Sequence, residues 1–298
     1  MPMPEGLKVI DAMLRPNTQS EHVENALEYL FKDLDTRKRR GQTPEEIVAV
    51  MDEYNVEKAL WNSNLDNPEG DGMKGLKKFP DRLIPYSGIN PWLGMEAVRM
   101  IEEWHKEYDV RCIHIFPASV QLPHNDNKLY PIFAKCCELG IAVSMNVGVP
   151  GPQGRGPGSM GPGGSRHHAS RMRTHGGDSG DRYPAYCQDP LNLDEVCWFF
   201  PELKVVMNHG GEPWQFLCVK LMIKWPNLFY KTSAFAPRHF PADIIYYANT
   251  RGSDKVMFAT GHPLIDLARA MGELPDVPLR DHVWPKFAHD NAAKLFRM

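Results

Sequence analysis

A histidine in the sequence Asn208-His209-Gly210-Gly211-Glu212 follows directly on a short apolar run, Lys204 to Met207. Such a run reads as a buried parallel strand, and glycines after it let the backbone turn away while the imidazole stays at the strand end. A histidine so placed can ligate a metal, transfer a proton, or cap the strand end through hydrogen bonds. Glu212, three residues on, is near enough in sequence to orient or deprotonate that ring; the alternative is a first-turn glutamate favoured by a helix dipole. His114, in Ile113-His114-Ile115, turns inward or outward by strand alternation and offers either a second acid/base or a hydrogen-bonded core histidine. Arg15 offers a two-pronged grip on a carboxylate, or a structural ion pair with Asp11. The candidates are therefore His209, Glu212 and His114 for catalysis, and Arg15, Asn146 and His262 for holding a substrate.

These residues share a position as well as a chemistry. Strands are predicted over Lys8 to Asp11, Lys58 to Asn64, Leu83 to Ile89, Val110 to Phe116, Ile141 to Val147, Lys204 to Met207, Leu228 to Ser233 and Lys255 to Thr260. Helical spacing falls between most of them: Glu21 to Lys32, Thr43 to Tyr54, Glu96 to Tyr108, Leu129 to Leu139, Leu193 to Phe200, Trp214 to Lys224, Pro241 to Asn249, and Pro285 to Phe296 at the end. About eight alternations in 298 residues predict a (β/α)8 barrel forming one domain, with a doubly wound open sheet as the alternative. In a barrel, chemistry sits at the C-terminal ends of the strands, and there the chain has Met13, Arg15, Asn64, His114, Asn146, His209, Glu212, Ser233, Gly261 and His262.

A net charge of -3 gives no field to recruit nucleic acid, and no apolar stretch approaches the ~20 residues of a membrane span. The small basic cluster Arg37 to Arg40 reads as a solvated helix end. Six scattered cysteines and no leader-like opening point to buried thiols in a cytoplasmic protein. One segment, residues 148–186, breaks the rhythm with Gly, Pro, Arg and His and is expected to be a loop beside the site. Its His167, His168, His175 and Asp178 are metal-ligand types, though a glycine-rich loop pre-organises ligands poorly.

Four segments together carry a likeness. Val9-Ile10-Asp11, the run Leu203 to Gly211, Lys255 to Thr260 followed by His262-Pro263, and Asp290 to Phe296 stand in the order and spacing of one family. The chain resembles the amidohydrolase-related family, in the branch of aminocarboxymuconate-semialdehyde decarboxylase-like enzymes. That resemblance implies a zinc or manganese site built from a His-x-His pair on the first strand, a histidine on the fifth or sixth, and an aspartate on the eighth. The corresponding residues here are Met13, Arg15, Asn146 and Gly261, and only His209 is kept. A thioether suits a hard hydrolytic cation poorly and a guanidinium has no lone pair, so the usual metal is expected to be lost. Three readings follow. One is an enzyme hydrolysing or decarboxylating a small carboxylated or cyclic substrate without the metal, as a homo-oligomer. Another is a non-catalytic subunit of a hetero-oligomer with a metal-bearing paralogue. The third is a metal site rearranged around His209, His262, His114 or the loop histidines.

Overall fold

Strand pairing follows chain order throughout: β1 (Val9–Leu14), β2 (Val56–Asn62), β3 (Leu83–Gly88), β4 (Cys112–Ile115), β5 (Ala142–Asn146), β6 (Val205–Asn208), β7 (Leu228–Lys231) and β8 (Val256–Met257), all parallel. The computed structural model describes residues 2–16, 41–150 and 185–298. The ring closes between β8 and β1. The Ala12 amide donates to the Phe258 carbonyl (3.1 Å), the Gly261 amide to Met13 (2.8 Å) and the Arg15 amide to His262 (3.1 Å). The expected (β/α)8 barrel forms.

Between the strands lie α1 (Pro44–Glu53), α2 (Asp71–Lys78), α3 (Met95–Tyr108), α4 (Pro117–Val120), α5 (Tyr130–Leu139), α6 (Asn192–Phe199), α7 (Gln215–Lys224) and α8 (Ala242–Ala248), and α9 (Leu267–Glu273) and α10 (Asn291–Phe296) follow β8. The start of α1 is read correctly from sequence. Thr43 accepts from the Glu46 amide while Glu46 reaches back to the Thr43 amide, and Pro44 opens the first turn. Three helices escape that reading. In α2 the sequence Asp-Gly-Met-Lys-Gly-Leu-Lys-Lys carries two poor helix formers, and tertiary packing overrides them. There the Gly72 carbonyl takes the indole N–H of Trp61 at 2.8 Å, which fixes α2 against β2. The other unread helices are the short α4 and α9.

Side chains alternate across each strand, and the alternation sorts two environments. Val9, Trp61, Leu83, Ile113, Val143, Val205, Leu228 and Val256 are buried in the layer that includes the helices. Ile10, Leu60, Tyr86, Cys112, Ala142, Val206 and Met257 form a second cluster, the barrel interior. Two residues further along β4, β5, β6 and β7 the interior changes character: His114, Ser144 and Asn146, Asn208, and Lys231. Its C-terminal end is polar.

Five of the six cysteines are buried, Cys137 is half-buried, and all are free thiols. Among the described residues no helix is long and apolar enough to cross a membrane. The helix expected from Glu21, the Arg37 to Arg40 cluster and the loop residues His167, His168, His175 and Asp178 lie outside the described residues.

Candidate active site

The first strand runs three residues past its predicted end, with an irregularity in register between Asp11 and Leu14. That stretch ties the barrel shut. One Asp11 carboxylate oxygen accepts the Met13 amide (2.9 Å) and the Thr260 amide (3.0 Å); the other accepts the Thr260 hydroxyl (2.5 Å). Burial pushes the carboxyl up to about 6, against the pull of these donors. Asp11 is thus engaged with β8 and makes no ion pair with Arg15, contrary to one expectation. Met13 is fully buried among Ile10, Ala12, Leu60 and Tyr86. Arg15 is half-buried, and its Nε has no hydrogen-bond partner among the described residues.

Across the barrel a chain of polar side chains spans β4, β5 and β6. Ser144 Oγ donates to Asn208 Oδ1 (2.7 Å), and Asn208 Nδ2 faces both Asn146 Oδ1 (3.1 Å) and His114 Nδ1 (3.2 Å). An amide nitrogen only donates, so His114 Nδ1 accepts and the ring proton sits on Nε2. His209 has the opposite tautomer. Its Nδ1 lies 3.1 Å from Ser233 Oγ and 3.4 Å from the Ser233 carbonyl oxygen, which can only accept, so Nδ1 carries the proton and Nε2 holds the lone pair. The His209 backbone has φ 71°, a left-handed conformation costly for most side chains, and Gly211 follows with φ +72°. This turn lets the chain leave β6 while the Ser233 hydroxyl accepts the His209 amide at 3.3 Å.

Lys231 completes the arrangement. It is 0% exposed, its ammonium donates to the Ala12 carbonyl (3.1 Å), and it lies 5.8 Å from the centroid of the Tyr86 ring. Burial draws its pKa down to about 8, which leaves it charged at neutral pH. The Tyr86 ring in turn meets His114 edge-on, with centroids 6.1 Å apart. Burial, followed by the charges of Arg15 and Lys231, pushes His209 down to about 3, and the same causes hold His114 well below its ordinary value. The barrel end therefore holds two fixed cations and two neutral imidazoles, one presenting a donor and the other a lone pair. Such a field attracts an anion and can move a proton on either side of it.

His114, His209 and Arg15 are brought together as the sequence suggested, and Asn146 joins His114 through Asn208. Glu212 is not: its side chain is exposed, and the His209 ring is held by Ser233 instead. His262 is buried 1% exposed, with Nδ1 accepting the Leu267 amide at 3.3 Å, so it serves the start of α9. Lys231, Asn208, Ser144 and Tyr86 were missed, although carrying the alternation of β7 from Phe229 points Lys231 inward. Asn208 is the hub of the chain. Its replacement by alanine leaves Ser144, Asn146 and His114 each short of a buried partner, an expected loss on the order of 3 kcal/mol in urea denaturation.

These residues do not fit a divalent cation. The implied ligand positions hold a buried thioether, a guanidinium, an amide already hydrogen-bonded to Asn208, and Gly261 with no side chain. Among the described residues no three His, Cys, Asp or Glu side chains are grouped to hold a metal ion.

A family model described as amidohydrolase matches residues 73–298. No curated protein matches the chain. Among solved structures, a TIM-barrel protein from Bordetella bronchiseptica superposes with a TM-score of 0.70 at 24% identity, covering 98% of this chain and 99% of that one. The 5-carboxyvanillate decarboxylase of Sphingomonas paucimobilis gives 0.65 at 18% identity, covering 98% and 100%. A dihydroxybenzoic acid decarboxylase from Polaromonas, solved with manganese and 2-nitroresorcinol, gives 0.65 at 16% identity, covering 98% and 97%.

Proposed function

Because the chain belongs to the amidohydrolase family, we propose that it is a hydrolase or decarboxylase of a small carboxylated substrate that works without a divalent metal ion. One observation carries the reading: Arg15, Lys231, His114 and His209 converge where the fold places its chemistry, and their charge is positive without any bound ion. Arg15 grips a carboxylate that stays on the substrate. It does not grip one that departs, because a cation held on a leaving carboxylate stabilises the ground state and slows the loss of CO2. His209 Nε2 takes a proton, from water in hydrolysis, and His114 Nε2–H returns one to the leaving group or to the carbon that CO2 has left. A bound carboxylate also offsets the field of Arg15 and Lys231, so both imidazoles gain basicity when substrate is present. The decarboxylases of similar fold agree with a small carboxylated substrate.

The test is turnover of a panel of small mono- and dicarboxylic acids, esters and amides after dialysis against a chelator, with elemental analysis alongside. Activity is expected to survive dialysis and to gain nothing from added manganese or zinc. Arg15→Ala is expected to lower kcat/KM by roughly 100-fold, the worth of a charge-assisted bidentate contact. Stoichiometric bound metal whose removal abolishes turnover would overturn metal-free operation and favour the rearranged site. A second reading, pairing with a metal-bearing paralogue, draws support from exposed aromatic side chains on the outer helices: Trp198, Phe199, Phe216 and Tyr246. A stable homo-oligomer by light scattering, with no homologous metal-bearing chain co-purifying from the native source, would remove it.

A further inference from the structure

A buried ammonium is costly unless its protons are satisfied, and Lys231 is satisfied only in part. Its one protein acceptor among the described residues is the Ala12 carbonyl. Asp11, the nearby carboxylate, is spent on Met13 and Thr260 and forms no ion pair with it. Two further donors in the same part of the barrel are without an acceptor among the described residues, the Tyr86 hydroxyl because the Arg15 guanidinium beside it can itself only donate. The Tyr86 hydroxyl belongs to a side chain only 1% exposed, and Arg15 Nε is buried. The three are neighbours: the ammonium lies over the Tyr86 ring, and the charge of Arg15 acts on both Tyr86 and Lys231. Water-filled surroundings would make such donors unremarkable. Inside a barrel lined by Ile10, Leu60, Cys112 and Val206 they call for an acceptor.

We propose that Lys231, Tyr86 and Arg15 form an inner anion subsite that receives the retained carboxylate of the substrate. It lies inside the barrel, beside the two imidazoles, and nothing in the family's implied ligand set occupies the position of Lys231. Two carboxylate oxygens supply enough lone pairs for the ammonium, the phenol and the guanidinium together. The fixed charges thereby supply the electrostatic hold that a metal ion would otherwise provide, and they set which end of the substrate enters first. The group left at the level of His114 and His209 is the one that reacts. This rests on the reading of the protein as an enzyme of carboxylated substrates, but it is tested by binding alone.

Acetate and benzoate, with benzamide as the uncharged counterpart, are titrated into the purified chain by calorimetry and by chemical-shift perturbation. One carboxylate is expected to bind per chain, with benzamide at least about tenfold weaker. Tyr86→Phe removes one hydroxyl and keeps the ring, and it is expected to weaken the carboxylate about tenfold with the fold intact. Lys231→Met is expected to abolish measurable binding, and affinity in the wild type is expected to fall as pH rises past about 8. Carboxylate binding unchanged in Tyr86→Phe, benzamide binding as tightly as benzoate, or neither acid binding, would each overturn the subsite. Binding as described with no turnover of any substrate would instead count against the enzymatic reading and leave the subsite standing.

Discussion

Replacing His209 by asparagine lowers kcat/KM by roughly 10²- to 10⁴-fold, the usual contribution of a general acid or base, and leaves Tm close to that of the wild type. Asparagine is the substitution that isolates the imidazole. His209 sits at φ 71°, and among residues with a side chain asparagine is one of the few that adopt this conformation at little cost. Its short side chain can still reach Ser233, but it has no lone pair that becomes basic when an anion binds. Alanine at the same position adds backbone strain, so a loss of activity there mixes chemistry with stability. The pH profile gives an independent reading. With the free site holding His209 near 3, kcat/KM is expected to be flat through neutral pH in the wild type. A variant with wild-type kcat/KM would remove His209 from the mechanism and leave it as a strand-end cap.

Much of this arrangement could be read from the sequence because hydrophobic runs and strand ends obey local rules. His209 followed by two glycines marked the place, and His114 between two isoleucines marked an alternating strand. What escaped did so for a geometric reason. The sequence marks the residues that follow the strands, whereas Asn208 and Lys231 are the last residues of β6 and β7 themselves and reach the site from the inward face of the sheet. In Leu228-Phe229-Tyr230-Lys231 a charged residue closing a strand reads as the start of solvent. Only the closed barrel turns that direction into an interior. Glu212 shows the converse. Three residues from His209 in sequence, it is carried outward by the turn that left-handed His209 and Gly211 create. Proximity along the chain decides little when the backbone reverses between two residues. The same holds for Asp11 and Arg15, whose expected pairing loses to Thr260 because closing the barrel brings β8 against β1.

The barrel closure itself gives the second large effect. Asp11→Ala leaves the Met13 amide, the Thr260 amide and the Thr260 hydroxyl without their acceptor, and each unsatisfied buried donor costs about 1–3 kcal/mol. Removing a buried charge returns part of this, but the three donors outweigh it at low pH, where the carboxyl is already neutral. Asp11→Asn behaves differently. Its amide oxygen keeps both backbone donors and its nitrogen can donate to Thr260 Oγ1, while the desolvated charge is gone. The sign of the pH dependence follows from the raised pKa. Between about 4 and about 6 the folded chain holds a proton at Asp11 that the unfolded chain has released, so stability falls as pH rises through this window. The shift corresponds to about 3 kcal/mol, fully lost above pH 6. Other carboxylates contribute slopes of their own, Glu45 in the opposite sense because Lys78 holds it down to about 2. The quantity to measure is therefore the difference between wild type and Asp11→Asn in urea denaturation at pH 4.5 to 8. That difference is expected to shift by about 2–3 kcal/mol in favour of asparagine as pH rises, while Asp11→Ala is less stable than Asp11→Asn throughout. Parallel curves for wild type and Asp11→Asn would show that the Asp11 carboxylate is not desolvated, and the strand closure would then rest on the backbone hydrogen bonds of Ala12, Gly261 and Arg15 alone.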